Sequence, residues 1–272
     1  MHHVKIALIT GPSSGIGKAT ALEMARRGYH IVAAGRSRKR ISDVVSTIEK
    51  KGGSAEHLHL DLASLGSCTE AARTFADSGR VLDVIIDNAG VGAVRGLTDD
   101  GFEIHFGVNH LGHFMLTHHL APSFRPGSRI VVVSSEAHRR ASGVDFGQVR
   151  RRVGVLGVLN AYAVSKLANI LFASHLAHLQ PEWRTYAVHP GVANTNIFPT
   201  VVKPFLRSVE TPEQAAQTSV WCATSDEVAD QSGLYYSRMK QREASPAGHD
   251  DSLAAELWRR SEQWCGISRH TN

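Results

Sequence analysis

Cysteine is scarce in this chain: Cys68, Cys222 and Cys265 are the only three in 272 residues, and no two are close in sequence. They offer neither a disulfide framework nor zinc-ligand spacing, so an apolar core must hold the fold, and a reducing, cytoplasmic setting is expected. A long apolar run at the N-terminus is missing too. The first apolar run, residues 4–9, is broken by Gly11-Pro12 and is too short for a secretory signal or a bilayer span, so no export signal and no integral membrane segment are expected. Strong charge bias is also absent, because 30 Lys and Arg face 25 Asp and Glu, leaving +5 spread along the chain. That balance suits a small anionic ligand and gives no reason to expect nucleic acid as a partner. Internal repeats and low-complexity linkers are lacking, which favours one domain over residues 1–272.

What is present is an alternation of short apolar runs with longer helical patterns. Residues 4–9, 31–34, 57–60, 81–86, 129–133, 185–189 and 234–236 read as strands. The first, fourth and fifth are continuously rather than alternately apolar, as strands covered on both faces are. Strand–helix–strand repetition then predicts an α/β fold: a single doubly wound parallel sheet, Rossmann-type, with helices on both faces. Three irregular stretches interrupt it, at 135–161, 192–212 and 242–251, and the second is expected to cover a substrate.

Thr10-Gly11-Pro12-Ser13-Ser14-Gly15-Ile16-Gly17 follows the first strand and opens the first helix. Glycines there let backbone approach a pyrophosphate whose charge the helix N-terminus favours, so Gly11, Ser13, Ser14, Gly15, Ile16 and Gly17 are candidate contacts. The gap between Gly11 and Gly15 departs from Gly-x-Gly-x-x-Gly, and the residues after Lys18 exclude a Walker phosphate loop. The second strand ends in Ala34-Gly35-Arg36-Ser37-Arg38, a cation where an NAD site carries an acid for the ribose hydroxyls. Arg36, aided by Ser37, Arg38 or Lys39, suits a 2'-phosphate, so NADP(H) is favoured and NAD(H) is the alternative. Asp61 and Leu62 after the third strand are candidates for the adenine, and Asn88, Ala89 and Gly90 after the fourth permit close cofactor approach. Local turns would read much the same at both places.

Tyr162-Ala163-Val164-Ser165-Lys166 places a phenol and an ammonium four residues apart on one helix face. A phenol of pKa about 10 is a poor acid–base catalyst at neutral pH, and a nearby ammonium favours its phenolate. Taken together, residues 10–17, Asp61, Asn88-Ala89-Gly90, Asn109, Ser134-Ser135, residues 162–166 and Pro190-Gly191 resemble the short-chain dehydrogenase/reductase family, from Lys5 to about Tyr236. Asn109-His110-Leu111-Gly112-His113-Phe114, Ser165-Lys166-Leu167-Ala168-Asn169 and Val188-His189-Pro190-Gly191 look most like its retinol dehydrogenase-like branch.

The resemblance implies an NADP(H)-dependent oxidoreductase moving hydride between nicotinamide and a ketone, aldehyde or alcohol. It implies a catalytic tetrad of Asn109, Ser135, Tyr162 and Lys166. Tyr162 would exchange the proton, Lys166 would lower its pKa and reach the nicotinamide ribose, Ser135 would bind the substrate oxygen, and Asn109 would hold a relay water. Pro190, Gly191 and Thr195 would follow the nicotinamide-facing strand. Apolar residues in the irregular stretches, among them Val155, Leu156 and Phe198, point to a large apolar substrate. Family habit implies a homo-oligomer joined through the helices bearing Asn109 and Tyr162.

Two departures stand out. Position 87 is Asp where the family has Asn, and Tyr162 follows Ser135 by 27 positions, about twice the common spacing, an insert familiar in the retinol dehydrogenase-like branch. Rival readings are a light-dependent protochlorophyllide-type reductase, which shares features of this branch, and a non-catalytic NADP(H)-sensing regulator. The histidines at 105, 110, 113, 118 and 119 lack a His-Glu-x-x-His pattern, so no metal site is expected.

Overall fold

Aliphatic and β-branched runs become strands at the centre of the molecule. In the computed structural model, which describes residues 4–191 and 210–267, eight strands form one sheet in the order β3-β2-β1-β4-β5-β6-β7-β8. These are β1 (Ile6–Thr10), β2 (His30–Gly35), β3 (Ser54–His59), β4 (Val84–Asp87), β5 (Arg129–Val133), β6 (Arg184–His189), β7 (Leu234–Ser237) and β8 (Lys240–Arg242). The first seven are parallel and β8 is antiparallel to β7. Helices are α1 (Gly15–Arg26), α2 (Arg38–Lys50), α3 (Leu65–Ala76), α4 (Ile104–Phe106), α5 (Gly112–His119), α6 (Val158–Leu179), α7 (Pro212–Thr224) and α8 (Asp251–Trp264). A π-helical turn, Gly107–Leu111, joins α4 to α5.

Successive β1 side chains enter opposite layers. Ile6 and Leu8 pack with Phe75, Leu116 and Leu167, while Ala7 and Ile9 pack with Met24, Ile48 and Val220. Burial on both faces is why these strands carry unbroken apolar runs, and it makes the fold doubly wound α/β. The order reverses between β1 and β4, which opens a crevice at the C-terminal ends of those strands.

Three elements differ from the sequence expectation, the first being β3, which starts at Ser54 rather than at 57. β4 begins at Val84 rather than at 81; just before it, the Asp83 N–H donates to the Ile6 carbonyl and its carbonyl accepts the Arg129 N–H, while its carboxylate accepts the Ile6 N–H at 2.8 Å and pairs with Arg125. β8 carries no strand signature, and its hairpin turns through Arg238 (φ 53) and Met239 (φ 55). Two left-handed residues suit such a turn, yet neither is the Asn or Gly by which one is usually recognised.

Helix α8 lies across α6. Its Trp258 ring packs 4.9 Å from Phe114 and 5.8 Å from Phe172, and Ser261 Oγ is 3.0 Å from His110 Nε2. The outer face of the helices expected to join subunits is therefore lined by the chain's own C-terminal helix. Among the described residues one segment, Val155–Leu179, is long and apolar enough to cross a membrane, and 56% of its most apolar window is buried against the protein's own core.

Candidate active site

The β1–β4 crevice is built by close backbone approach. Gly11 has φ +67, and a Cβ there would stand 2.9 Å from the Ala89 Cβ; one on Gly17 would meet Asn88 Nδ2 and the Gly11 carbonyl at 2.4 Å. Packing thus requires both glycines, and at Gly11 the left-handed conformation requires one too. Thr10 ties the two strand ends, since its hydroxyl oxygen accepts the N–H groups of Asn88 and Ala89, each at 2.9 Å, while Asn88 Nδ2 donates to the Thr10 carbonyl at 2.9 Å. Above them, the N-cap Ser14 makes no side-chain cap, which leaves the first N–H groups of α1 to an anion.

A cavity of about 960 Å³ opens from this crevice. Gly11, Ser13, Ser14, Gly15, Ile16, Gly17, Arg36, Asp61, Leu62, Asn88, Ala89, Gly90, Ser135, Tyr162, Lys166, Pro190 and Gly191 all line it. Asn109 stands behind the wall, fully buried. Thr195 and most of the 192–212 stretch fall in 192–209, outside the described residues. Around Arg36, Ser37 and Arg40 line the cavity, whereas Arg38 and Lys39 do not. Arg36 is 68% exposed and its guanidinium lies 3.8 Å from the Asp61 carboxylate, so the cation is available to a phosphate. Asp61 also closes a local turn, its Oδ1 accepting the Ala63 N–H at 3.0 Å.

At the inner end the adjacent serines separate cleanly. Ser134 is buried and donates its hydroxyl to the Lys166 carbonyl at 2.7 Å, fastening β5 to α6. Ser135 opens the next turn, accepts the Ala137 N–H at 3.2 Å and shares a hydrogen bond with the Tyr162 phenol. Burial pushes that phenol above its ordinary value, and the Ser135 bond pulls the other way. Lys166 Nζ sits 5.8 Å from the centre of the Tyr162 ring and donates to the Val133 carbonyl at 2.9 Å. Burial lowers this ammonium to about 8.

Asn109 lies in the π turn. Its Oδ1 accepts the Val91 N–H at 2.8 Å, and its Nδ2 donates to the Val91 carbonyl and to Ser165 Oγ, both at 3.0 Å. Through these bonds the amide that the resemblance assigns to a relay water fastens the loop after β4 to α6. A π turn admits one extra residue and rotates the helix face, which brings this amide inward.

The sequence offers His113 only as one of several histidines without a metal-binding pattern, and the structure gives it a specific place. Its Nδ1 faces the Asn109 carbonyl at 3.1 Å, and its Nε2 faces the Thr10 hydroxyl at 2.9 Å. A carbonyl only accepts, so Nδ1 carries the proton and Nε2 accepts from Thr10. Burial lowers the ring to about 4, which keeps it neutral. The Asn-His-Leu-Gly-His run was the only available signal, and it does not reveal a bond reaching back to residue 10. Val91, Val94, Ile104 and Val108 form an apolar wall of the cavity that no motif marked.

Residues 5–204 match the family model described as short chain dehydrogenase. Dehydrogenase/reductase SDR family member 13 of Bos taurus is 41% identical over 97% of this chain and 74% of its own length. Retinol dehydrogenase 13 of Homo sapiens is 38% identical over 97% of this chain and 85% of its own length. A crystal structure of an uncharacterized protein from Mycobacterium paratuberculosis superposes with a TM-score of 0.80 at 33% identity, covering 96% of this chain and 93% of that one.

Proposed function

The chain belongs to the short-chain dehydrogenase/reductase family, oxidoreductases of alcohol and carbonyl groups, and we propose that it works with NADP(H) on a fairly large, apolar ketone, aldehyde or alcohol. The observation that carries this reading is the placing of Tyr162, Ser135 and Lys166 at the inner end of the same cavity whose outer end holds the glycine turn and Arg36.

The residues present fit such a cofactor: the close backbone turn that glycine permits at 11 and 17, the uncapped α1 N-terminus and the exposed Arg36 suit a pyrophosphate and a 2'-phosphate. When bound, nicotinamide supplies or accepts the hydride. In reduction, Tyr162 gives its proton to the carbonyl oxygen as the carbon takes the hydride, and Ser135 donates to the same oxygen. Lys166 holds positive charge near the phenolate that is left, which favours that phenolate. Oxidation runs the same steps backward. The wall of Val91, Val94, Ile104 and Val108 offers no polar side chain to a substrate, which supports an apolar one.

The test is NADPH oxidation by purified protein across a panel of ketones and aldehydes, with Tyr162→Phe alongside. Turnover that Tyr162→Phe reduces by roughly 100-fold or more is expected. Nucleotide binding with no turnover, unchanged by Tyr162→Phe, would instead identify a sensing regulator. Arg36→Asp is expected to shift preference from NADPH to NADH, and unchanged preference would remove Arg36 from the 2'-phosphate site.

A further inference from the structure

Residues 243–249, part of the third irregular stretch, take no part in the proposed chemistry, yet they close on the turn that follows Ser135. That turn, Glu136–Arg140, is held to the stretch at two points. The Arg139 guanidinium donates to the Glu243 carbonyl, and the Ser245 N–H donates to His138 Nε2 at 3.0 Å. The stretch itself is closely seated. The Gly248 N–H donates to the Ser245 carbonyl at 2.8 Å, and a Cβ on Gly248 would stand 2.9 Å from the Ala244 Cβ and 3.4 Å from Ile170 on α6.

His138 is fully buried and joins this stretch to the serine. Its Nδ1 faces the Ser135 carbonyl at 2.7 Å, and its main-chain N–H donates to the same oxygen at 3.1 Å. A carbonyl only accepts and an N–H only donates, so Nδ1 carries the proton, Nε2 is bare, and the neutral imidazole is satisfied at both nitrogens. Burial, which lowers the ring below its ordinary value, agrees with this form. The charged groups around the ring are engaged with one another: Glu136 accepts from Arg139 and from the Tyr235 hydroxyl, both at 2.7 Å, and His249 faces Glu243 at 3.1 Å. Tyr235 on β7 packs against the ring edge, with centroids 5.1 Å apart and planes at 71°.

We propose that His138 is a positioning residue for Ser135, through which residues 243–249 set the hydroxyl that meets Tyr162 and the substrate oxygen. Its Nδ1 bond fixes the Ser135 carbonyl, and so the peptide plane from which the serine side chain projects; the Ser245 N–H in turn fixes the ring. The proposal rests on the reading of Ser135 and Tyr162 as the groups that meet the reacting oxygen.

Asparagine and glutamine at position 138 separate the two bonds, because an Asn amide reaches only as far as Nδ1 and a Gln amide reaches to where Nε2 stands. The first readout needs no substrate. In the purified full chain labelled with ¹³C-tyrosine at pH 7.5, the Tyr162 Cζ resonance, assigned by its loss in Tyr162→Phe, reports the hydrogen bond to Ser135. It is expected to move in Ser135→Ala, to move in the same sense in His138→Leu and His138→Gln, and to stay in place in His138→Asn. Adding His138→Leu to Ser135→Ala should move it no further, because the histidine acts through the serine. A resonance unmoved in both His138→Leu and His138→Gln overturns the proposal, as does a further shift in the double variant. In turnover, His138→Leu and His138→Gln should each lose roughly tenfold in kcat with KM for the nucleotide little changed, and His138→Asn should recover most of that loss. Equal losses in the Asn and Gln variants, following their melting temperatures, would mark a merely structural role and also overturn it. Absence of turnover in the wild-type protein strikes the oxidoreductase reading and leaves the Tyr162 resonance to decide whether His138 sets Ser135.

Discussion

The Lys166 ammonium donates to the Val133 carbonyl at 2.9 Å rather than to the Tyr162 phenol, although the two side chains share one helix face. Asn169 Nδ2 donates to the same carbonyl at 3.0 Å, so this oxygen stays satisfied if the lysine leaves. The lysine therefore holds its charge close to the phenol while remaining free to engage a ligand.

Burial lowers Lys166 from 10.5 to about 8, so the native state binds this proton more weakly than the unfolded chain does. The resulting penalty is complete below pH 8 and fades as pH rises toward 10.5, where the unfolded chain also releases its proton. Lys166→Met is expected to raise the melting temperature at pH 7, by about 1–2 kcal/mol of stability, and to abolish turnover. Thermal melts between pH 7 and 10.5 check this; a gain that does not shrink with pH would contradict it.

Asp87 gives the opposite slope. It is fully buried, one oxygen accepts from Thr117 at 3.2 Å, and Oδ1 has no partner among the described residues. Burial raises this carboxyl from 3.8 to about 8, so the native state keeps a proton that the unfolded chain releases, and stability falls as pH rises through that window. Asp87→Asn, the residue usual in the family, should be more stable than the wild type at pH 7.5 and nearly equal to it at pH 4. Chemical denaturation at the two values measures the difference.

Ser134 and Ser135 should part in function as they do in space. Ser135→Ala is expected to lower kcat by roughly 10- to 100-fold with an unchanged melting temperature. Ser134→Ala removes a buried bond between β5 and α6 and should cost about 1–2 kcal/mol with kcat retained in the folded fraction. Kinetics and melting curves on both variants suffice, and the reverse pattern would exchange their roles.

Trp258 fills the seam between α8 and the pair Phe114 and Phe172. Trp258→Ala should destabilise by about 3–5 kcal/mol. Because α8 lies over the face by which subunits were expected to join, light scattering should find a monomer for the wild-type chain. A dimer that survives Trp258→Ala would locate its interface elsewhere.

Strand positions and the glycine-turn end of the cavity were legible because each depends on a local pattern: apolar runs for β1, β4 and β5, and glycines where backbone must approach backbone; the apolar wall of Val91, Val94, Ile104 and Val108 was not. That Arg36 lines the cavity was legible because it is a charged residue at the end of a sheet strand. The roles of Asn109 and His113 were not. Both depend on a π turn that adds a residue to the helix, and on bonds to Val91 and Thr10 that no spacing encodes. β8 escaped because Arg238 and Met239 hold left-handed conformations without glycine.

The threonine at the end of β1 has a consequence for assembly. Its hydroxyl meets two amides from the end of β4 and the imidazole of His113 on α5. The floor of the cavity is thus contributed by segments about eighty and a hundred positions apart, and it does not exist until all have docked. A nucleotide that binds there recognises completed chains only, and at about 100 times its Kd would hold the fold together with roughly 2.7 kcal/mol of added stability. Cellular nucleotide supply would then help to set how many copies persist, as well as how fast each one works.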